Sequence, residues 1–163
     1  MNRLMDALNR DDRQSLALNL GVPVAIALVL NALAFFLGWG SAAAEGAPWF
    51  RPPVWAMGII WLVLFTLLGS ARWMLNSYTI IGVVKARNLI SLLVAVCLLW
   101  PLYTLAIDNL TVALLGNIAA GLLAIITVVF VWTRSRDAAL LVGPTFVWLC
   151  FMTITTLSQT GRL

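Results

Sequence analysis

Five apolar runs make up most of the chain, and each is long enough to cross a bilayer as a helix of about 20 residues. Of the 163 residues, 63% are hydrophobic and only 10% are charged, whereas charged residues approach about a quarter of a soluble domain. The sequence therefore predicts an all-α polytopic membrane protein. It forms one domain of five transmembrane helices, near Leu18–Trp39, Val54–Met74, Leu89–Ala106, Thr111–Trp132 and Ala138–Leu157.

The positive charges lie mainly on one side of these predicted spans. Arg51 and Arg162 fall on one side, and the other eight fall opposite: Arg3, Arg10, Arg13, Arg72, Lys85, Arg87, Arg134 and Arg136. The positive-inside rule then places the N-terminus, with residues 1–16, in the cytoplasm and the C-terminus outside. We interpret the net charge of +4 as a topology signal, so no nucleic-acid partner is expected.

The N-terminal region has some features of a signal peptide. Its arginines resemble a positive n-region, and residues 41–44 resemble a cleavage site. The apolar run between them is longer than the roughly 7–15 residues of a signal h-region. We therefore expect an uncleaved first helix, preceded over residues 1–13 by a short helix on the inner membrane surface.

The chain lacks the residues that several kinds of site chemistry require. Histidine is absent, which removes the commonest metal ligand and general base. Cys97 and Cys150 fall within apolar spans, where buried inert thiols are favoured over a disulfide or metal site. All acidic residues lie outside the spans or at their ends, which is unlike ion-coupled carriers. No catalytic residue and no metal site are predicted.

The stretch from Pro48 to Phe65, PWFRPPVWAMGIIWLVLF, brings prolines and tryptophans to the start of the second span. Pro52 and Pro53 stiffen the chain and suit the first turn of a helix. Trp61 and Phe65 are four residues apart and share a helix face. A rigid loop followed by an aromatic face is half of a pocket for a flat apolar ligand.

Other residues within the spans have a structural and a functional interpretation. Asn31 and Asn117 are expected to form interhelical hydrogen bonds rather than contact a ligand. Arg72 is expected to extend to the lipid headgroups. Trp100 and Trp148 lie deep enough to line a pocket, and Pro144 should kink the fifth helix nearby. A seam of small residues in the fourth span packs either inside the bundle or in a dimer: Ala113, Gly116, Ala120 and Ala124.

The pattern P-W-F-x-P-P-x-W, with Trp61 and Phe65 following at the family's spacing, resembles the TspO/MBR family of tryptophan-rich sensory and translocator proteins. Pro144 and Trp148 resemble the family's P-Y-x-x-W motif, and Trp100 fits a third aromatic position. The number and order of the spans also agree, so the resemblance covers most of the chain.

The resemblance implies a homodimeric five-helix bundle in a bacterial cytoplasmic membrane, with a pocket under the first loop. The pocket would bind tetrapyrroles (a porphyrin or haem, as a ligand and not a required cofactor) or sterol-like molecules, for sensing, delivery or disposal. The residues assigned to it are Trp49, Pro52, Pro53, Trp55, Trp61, Phe65, Cys97, Trp100, Trp148 and Met152.

The chain departs from the family pattern at hydrogen-bonding positions. Thr145 stands where the family has Tyr, Cys97 where it has Asn, and Thr155 and Thr156 near a Leu-Asn pair. These departures leave the ligand open. They also leave open a structural or assembly subunit of a larger membrane complex. A light-dependent porphyrin-degrading enzyme is a third, less favoured possibility.

Overall fold

The computed structural model describes residues 6–39, 48–107 and 109–160. In these ranges the chain is helical and has no strand, so the predicted all-α bundle of five membrane-length helices is confirmed. Expectations that rest on Arg3, residues 41–44, Asp108 or Arg162 lie outside the described residues. The helices are α1 Arg13–Phe36, α2 Val54–Met74, α3 Val83–Leu98, α4 Leu110–Trp132 and α5 Arg136–Gln159.

Side-chain caps fix the start of three helices. Asp12 accepts a 2.7 Å hydrogen bond from the Ser15 amide at the start of α1. Asn109 caps α4, and Ser135 caps α5. Each cap pairs a backbone N–H that has no partner inside its own helix.

The third helix begins earlier than hydropathy suggests. Hydropathy predicts a start at Leu89, whereas α3 begins at Val83, directly after Gly82 in a left-handed conformation (φ 89°). The first turn can carry Lys85 because this side chain is exposed. Beyond α3 the span continues through a π-helical segment, Leu102–Ala106. A charged first turn therefore hides the true start of this helix from a hydropathy argument.

Two ends of the bundle differ in character. The end of the bundle where Arg72, Arg87 and Arg134 lie is called the basic end. The end that carries the loop from Pro48 to Pro53 is called the loop end. Apolar side chains cover much of the outer surface between the ends, including Val63, Leu122 and Val147 at 53%, 58% and 66% exposed. Such a surface suits contact with lipid.

The small-residue seam of α4 packs inside the bundle. Ala120 and Ala124 are fully buried, and Ala113 is 5% exposed. The ring of Tyr103, from the π-helical segment, lies directly over Gly116, where an added Cβ would clash with it. The seam is thus used for contacts within the chain, which settles it in favour of bundle packing.

Helices α1 and α2 approach closely where the backbone of Asn19 faces Gly69. Pro23 lies inside α1 and has no N–H, so the carbonyl of Asn19 lacks its usual helical donor. That carbonyl lies against Gly69 of α2, at a position that a Cβ on Gly69 would occupy. Glycine is therefore required at residue 69 by the approach of a neighbouring backbone.

An aromatic site at the loop end

Trp61 and Phe65 form one face of the candidate site. Their rings stack at 5.5 Å between centroids with 25° between planes, as expected for residues one helical turn apart. Trp100, at the end of the α3 span, lies 5.5 Å from Trp61 at a tilt of 49°. The three side chains are 2–4% exposed. Cys97 is also buried, one turn before Trp100, and borders the same aromatic group.

A chain of hydrogen bonds ties this group to α4 and α5. The Trp100 Nε1–H donates to Asn117 Oδ1 at 3.0 Å, and the Asn117 Nδ2–H donates to Thr156 Oγ1 at 3.3 Å. The Thr156 hydroxyl donates in turn to the carbonyl of Met152 at 2.8 Å. The interhelical bonding expected of Asn117 is therefore present, and Met152 joins the site through its backbone.

Trp148 belongs to a second aromatic group. It stacks on Phe151 at 5.5 Å, and Phe151 meets Phe50 of the loop edge to face at 6.2 Å. No ring contact among the described residues joins Trp148 to Trp61. The structure therefore places the predicted aromatic residues in two separate groups.

The loop residues assigned to the pocket lie mostly outside it. Trp49 is 95% exposed and Trp55 is 71% exposed. Pro53 is the N-cap of α2, and Pro52 is only partly buried. Phe50 packs the loop against the bundle through its ring contact with Phe151. The loop thus contributes a ring that the sequence pattern did not assign to the site.

Two indoles in these groups have a buried N–H without a hydrogen-bond partner among the described residues. Trp61 Nε1 and Trp148 Nε1 have no hydrogen-bond partner among the described residues, and neither has the hydroxyl of Thr145. An unpaired buried donor costs about 1–3 kcal/mol, and buried tryptophans normally find an acceptor. These N–H groups are therefore available to an acceptor on a bound molecule.

Two small cavities border the aromatic side chains. The first, about 10 Å³, is lined by residues of α1, α2 and α3 that include Asn31 and Trp61. The second, about 20 Å³, lies beneath the loop between Arg51, Trp100 and Met152. A water molecule needs about 10–15 Å³, so each space is of water size. A larger ligand requires the rings to move apart.

Polar residues missed by the motif argument complete these cavities. Asn31 was expected to bond another helix, but its side chain forms no hydrogen bond with a described residue and lines the first cavity. Thr156 lines the second cavity and carries the hydrogen bond from Asn117. For Asn31 and Thr156 alike, the signal in the sequence was a polar residue within an otherwise apolar span.

Arg51 brings a cationic group to the loop end. It lines the second cavity together with Trp100 and Gln159. Burial lowers the pKa of its guanidinium, which nevertheless remains a strong base and keeps its charge at neutral pH. The site therefore combines aromatic faces, indole N–H donors and one positive charge.

Comparison with known proteins adds a family to this geometry. The model of the TspO/MBR family matches residues 20–160, which covers all five helices except the first turns of α1. The chain is also 29% identical over 106 residues to the tryptophan-rich protein TspO of Archaeoglobus fulgidus. That alignment covers 64% of this chain and 67% of the archaeal protein.

Proposed function

The chain belongs to the TspO/MBR family of integral membrane proteins, and on that premise we propose that it binds a flat apolar ligand of the tetrapyrrole class at the loop end. The observation that carries the proposal is Trp61. Its ring is 4% exposed and stacked on Phe65, yet its Nε1–H has no partner among the described residues. A planar ligand with acceptor atoms supplies both a stacking surface and that missing hydrogen bond.

The proposed binding mode rests on the contact between Trp61 and Trp100. The ligand enters beneath the loop and separates the Trp61 ring from Trp100, taking the place of their mutual contact. The hydrogen bond from Trp100 to Asn117 holds the Trp100 ring in place during this exchange. The cost of separation lowers the apparent affinity relative to a preformed pocket.

The test is a titration of the purified protein with protoporphyrin, followed by the shift of the porphyrin's own absorption band. This signal is independent of the number of tryptophans in the protein. Trp61→Leu keeps the site apolar but removes a stacking face and an N–H donor. An aromatic contact is worth about 0.5–1.5 kcal/mol beyond its area, so the dissociation constant should rise roughly two- to tenfold or more.

Trp132→Leu is the matched control. Trp132 is 46% exposed at the basic end, where the guanidinium of Arg136 lies 5.8 Å from its ring centroid. Its loss should leave porphyrin affinity unchanged. Equal effects of the Trp61 and Trp132 replacements would mean that porphyrin dissolves around the apolar surface, and the proposal would be abandoned.

Arg51 refines the proposed ligand. Arg51 lines the second cavity, and the proposal assigns its guanidinium to a carboxylate at the edge of the tetrapyrrole, through charge-assisted hydrogen bonds. Arg51→Gln should weaken binding of protoporphyrin and leave binding of its dimethyl ester unchanged. An equal loss for both ligands would assign Arg51 to the structure of the loop instead.

A second candidate function is that of a subunit in a larger membrane complex. The observation in its favour is the exposure of Trp49 and Trp55 at the loop end, above cavities of only water size. Two exposed indoles are typical anchors for a protein partner. If the chain is such a subunit, replacing both with serine should release a co-purifying partner. If it instead binds porphyrin at Trp61, the double replacement should leave porphyrin binding unchanged.

A further inference from the structure

Arg72 is buried at the basic end. Its side chain is 6% exposed, and its Nε–H donates to Ser91 Oγ at 2.8 Å. Nη1 donates to Asn19 Oδ1 at 2.6 Å and to the Leu8 carbonyl at 3.1 Å, and Nη2 donates to Asn9 Oδ1 at 3.0 Å. The expectation that Arg72 extends to the headgroups is therefore wrong, because acceptors from three segments hold the guanidinium inside.

The charge of this guanidinium has no carboxylate partner among the described residues. All four acceptors are neutral oxygens. Asp12, on the N-terminal segment, uses its carboxylate to cap α1. Arg87 adds a like charge, and its Nη1 donates to Asn76 Oδ1 at 3.0 Å. A buried charge without a counter-ion is costly, so this end of the bundle favours an anion.

A cavity of about 130 Å³ adjoins Arg72 between α1, α2 and α3. It is several times larger than the two spaces near the aromatic groups. One part of its wall is polar, and the rest is apolar. The polar residues are Asn19, Arg72 and Ser91, and the apolar residues include Leu18, Val22, Pro23 and Val94.

We propose that this cavity binds the anionic head of a membrane amphiphile, a phosphate or carboxylate, whose chain lies along the apolar wall. Nη2 of Arg72 donates one hydrogen bond to the described residues, which leaves its second N–H for a further acceptor. Basic pockets between membrane helices are suited to acidic headgroups. The apolar wall favours an amphiphile over a free anion, and the site is separate from the aromatic groups.

The test measures lipid binding to the detergent-purified full chain by native mass spectrometry. The probes are phosphatidylglycerol and phosphatidylcholine with identical acyl chains, and inorganic phosphate is added as a competitor. Both headgroups carry a phosphate, but the choline of phosphatidylcholine cancels its charge. The net negative charge that the buried guanidinium lacks therefore predicts a preference of about tenfold for phosphatidylglycerol. Phosphate at equal concentration should not compete. Equal binding of both lipids overturns the proposal, and full competition by phosphate overturns the assignment to an amphiphile.

Two pairs of variants locate the binding. Val94→Trp fills the cavity without touching the hydrogen bonds of Arg72 and should abolish the preference. Val84→Trp adds the same bulk to α3 at a side chain that is 56% exposed, and should retain it. Arg72→Gln should also abolish the preference, whereas Arg134→Gln removes the same charge at the same end and should not. If Arg72→Gln fails to fold, the Val94 and Val84 pair decides: a preference that survives Val94→Trp overturns the proposal.

Discussion

The Trp100 indole and the Asn117 amide form a buried hydrogen bond, Nε1 to Oδ1 at 3.0 Å, that connects the segment after α3 to α4. Asn117 is 1% exposed and also donates to Thr156. One amide thus satisfies polar groups of two other helices. Its removal leaves the Trp100 N–H without an acceptor, whereas the Thr156 hydroxyl keeps its bond to the Met152 carbonyl.

Replacing Asn117 with leucine should destabilise the protein by about 1–3 kcal/mol, because the Trp100 N–H then lacks an acceptor. Thermal unfolding in detergent measures this. Trp100→Phe removes the donor, so Asn117→Leu should cost much less stability when it is combined with Trp100→Phe. Additive losses in the double variant would show that the two side chains do not act together.

Replacing threonine with valine is expected to change stability in opposite directions at Thr145 and Thr156. Thr156 bonds both Asn117 and the Met152 carbonyl, so Thr156→Val should lower stability by about 1 kcal/mol or more. Thr145 is fully buried with no partner for its hydroxyl among the described residues, so Thr145→Val should be neutral or stabilising. The two valine variants, measured in the same unfolding assay, serve as each other's controls. A loss at residue 145 equal to that at 156 would indicate a hidden partner.

Gly69 and Gly58 lie in the same helix but differ in surroundings. A Cβ at Gly69 meets the backbone of Asn19, whereas a Cβ at Gly58 meets nothing within 4 Å. Gly69→Ala should therefore force α1 and α2 apart at a cost of about 1–3 kcal/mol. Gly58→Ala should be stabilising by about 0.5–1 kcal/mol through helix propensity. Thermal unfolding of the two variants checks both signs, and equal behaviour would contradict the close approach of α1 and α2.

The uneven positive charges predict an orientation that a fusion experiment can measure. With the basic end in the cytoplasm, a green fluorescent protein fused after residue 163 should be dark and alkaline phosphatase fused there should be active. Reporters fused at the turn containing Gly82, on the basic end, should give the reverse pattern. Fluorescence of the C-terminal fusion would contradict the orientation.

The sequence was sufficient for features that lie within one helix. The five spans follow from hydropathy, and the stacking of Trp61 on Phe65 follows from a spacing of four residues. Contacts between elements were not accessible in this way. Whether Trp148 and Phe151 face Trp61 or Phe50 of the loop depends on the rotation of α5, which periodicity in a uniformly apolar helix does not determine.

Arg72 shows that the contacts of a polar side chain with other helices are equally hard to predict from the sequence. A long cationic side chain near a helix end normally reaches the headgroups, and nothing local distinguishes this one. Its acceptors come from the N-terminal segment, α1 and α3, as much as 64 residues away along the chain. Similarly, Trp49 and Trp55 belong to the motif, but both are exposed, Trp49 on the loop and Trp55 in the first turn of α2. The loop instead places Phe50 against the bundle.

The close contact between Trp61 and Trp100 also has a kinetic consequence. Under the proposed binding mode, a planar ligand has to wait for a transient separation of Trp61 from Trp100, because the two rings lie 5.5 Å apart. The observed association rate should then level off at high ligand concentration, at the frequency with which the rings part, and different ligands should share that ceiling. Bound molecules would also leave slowly, so the protein would behave as a gated store whose exchange time is set by its own motions.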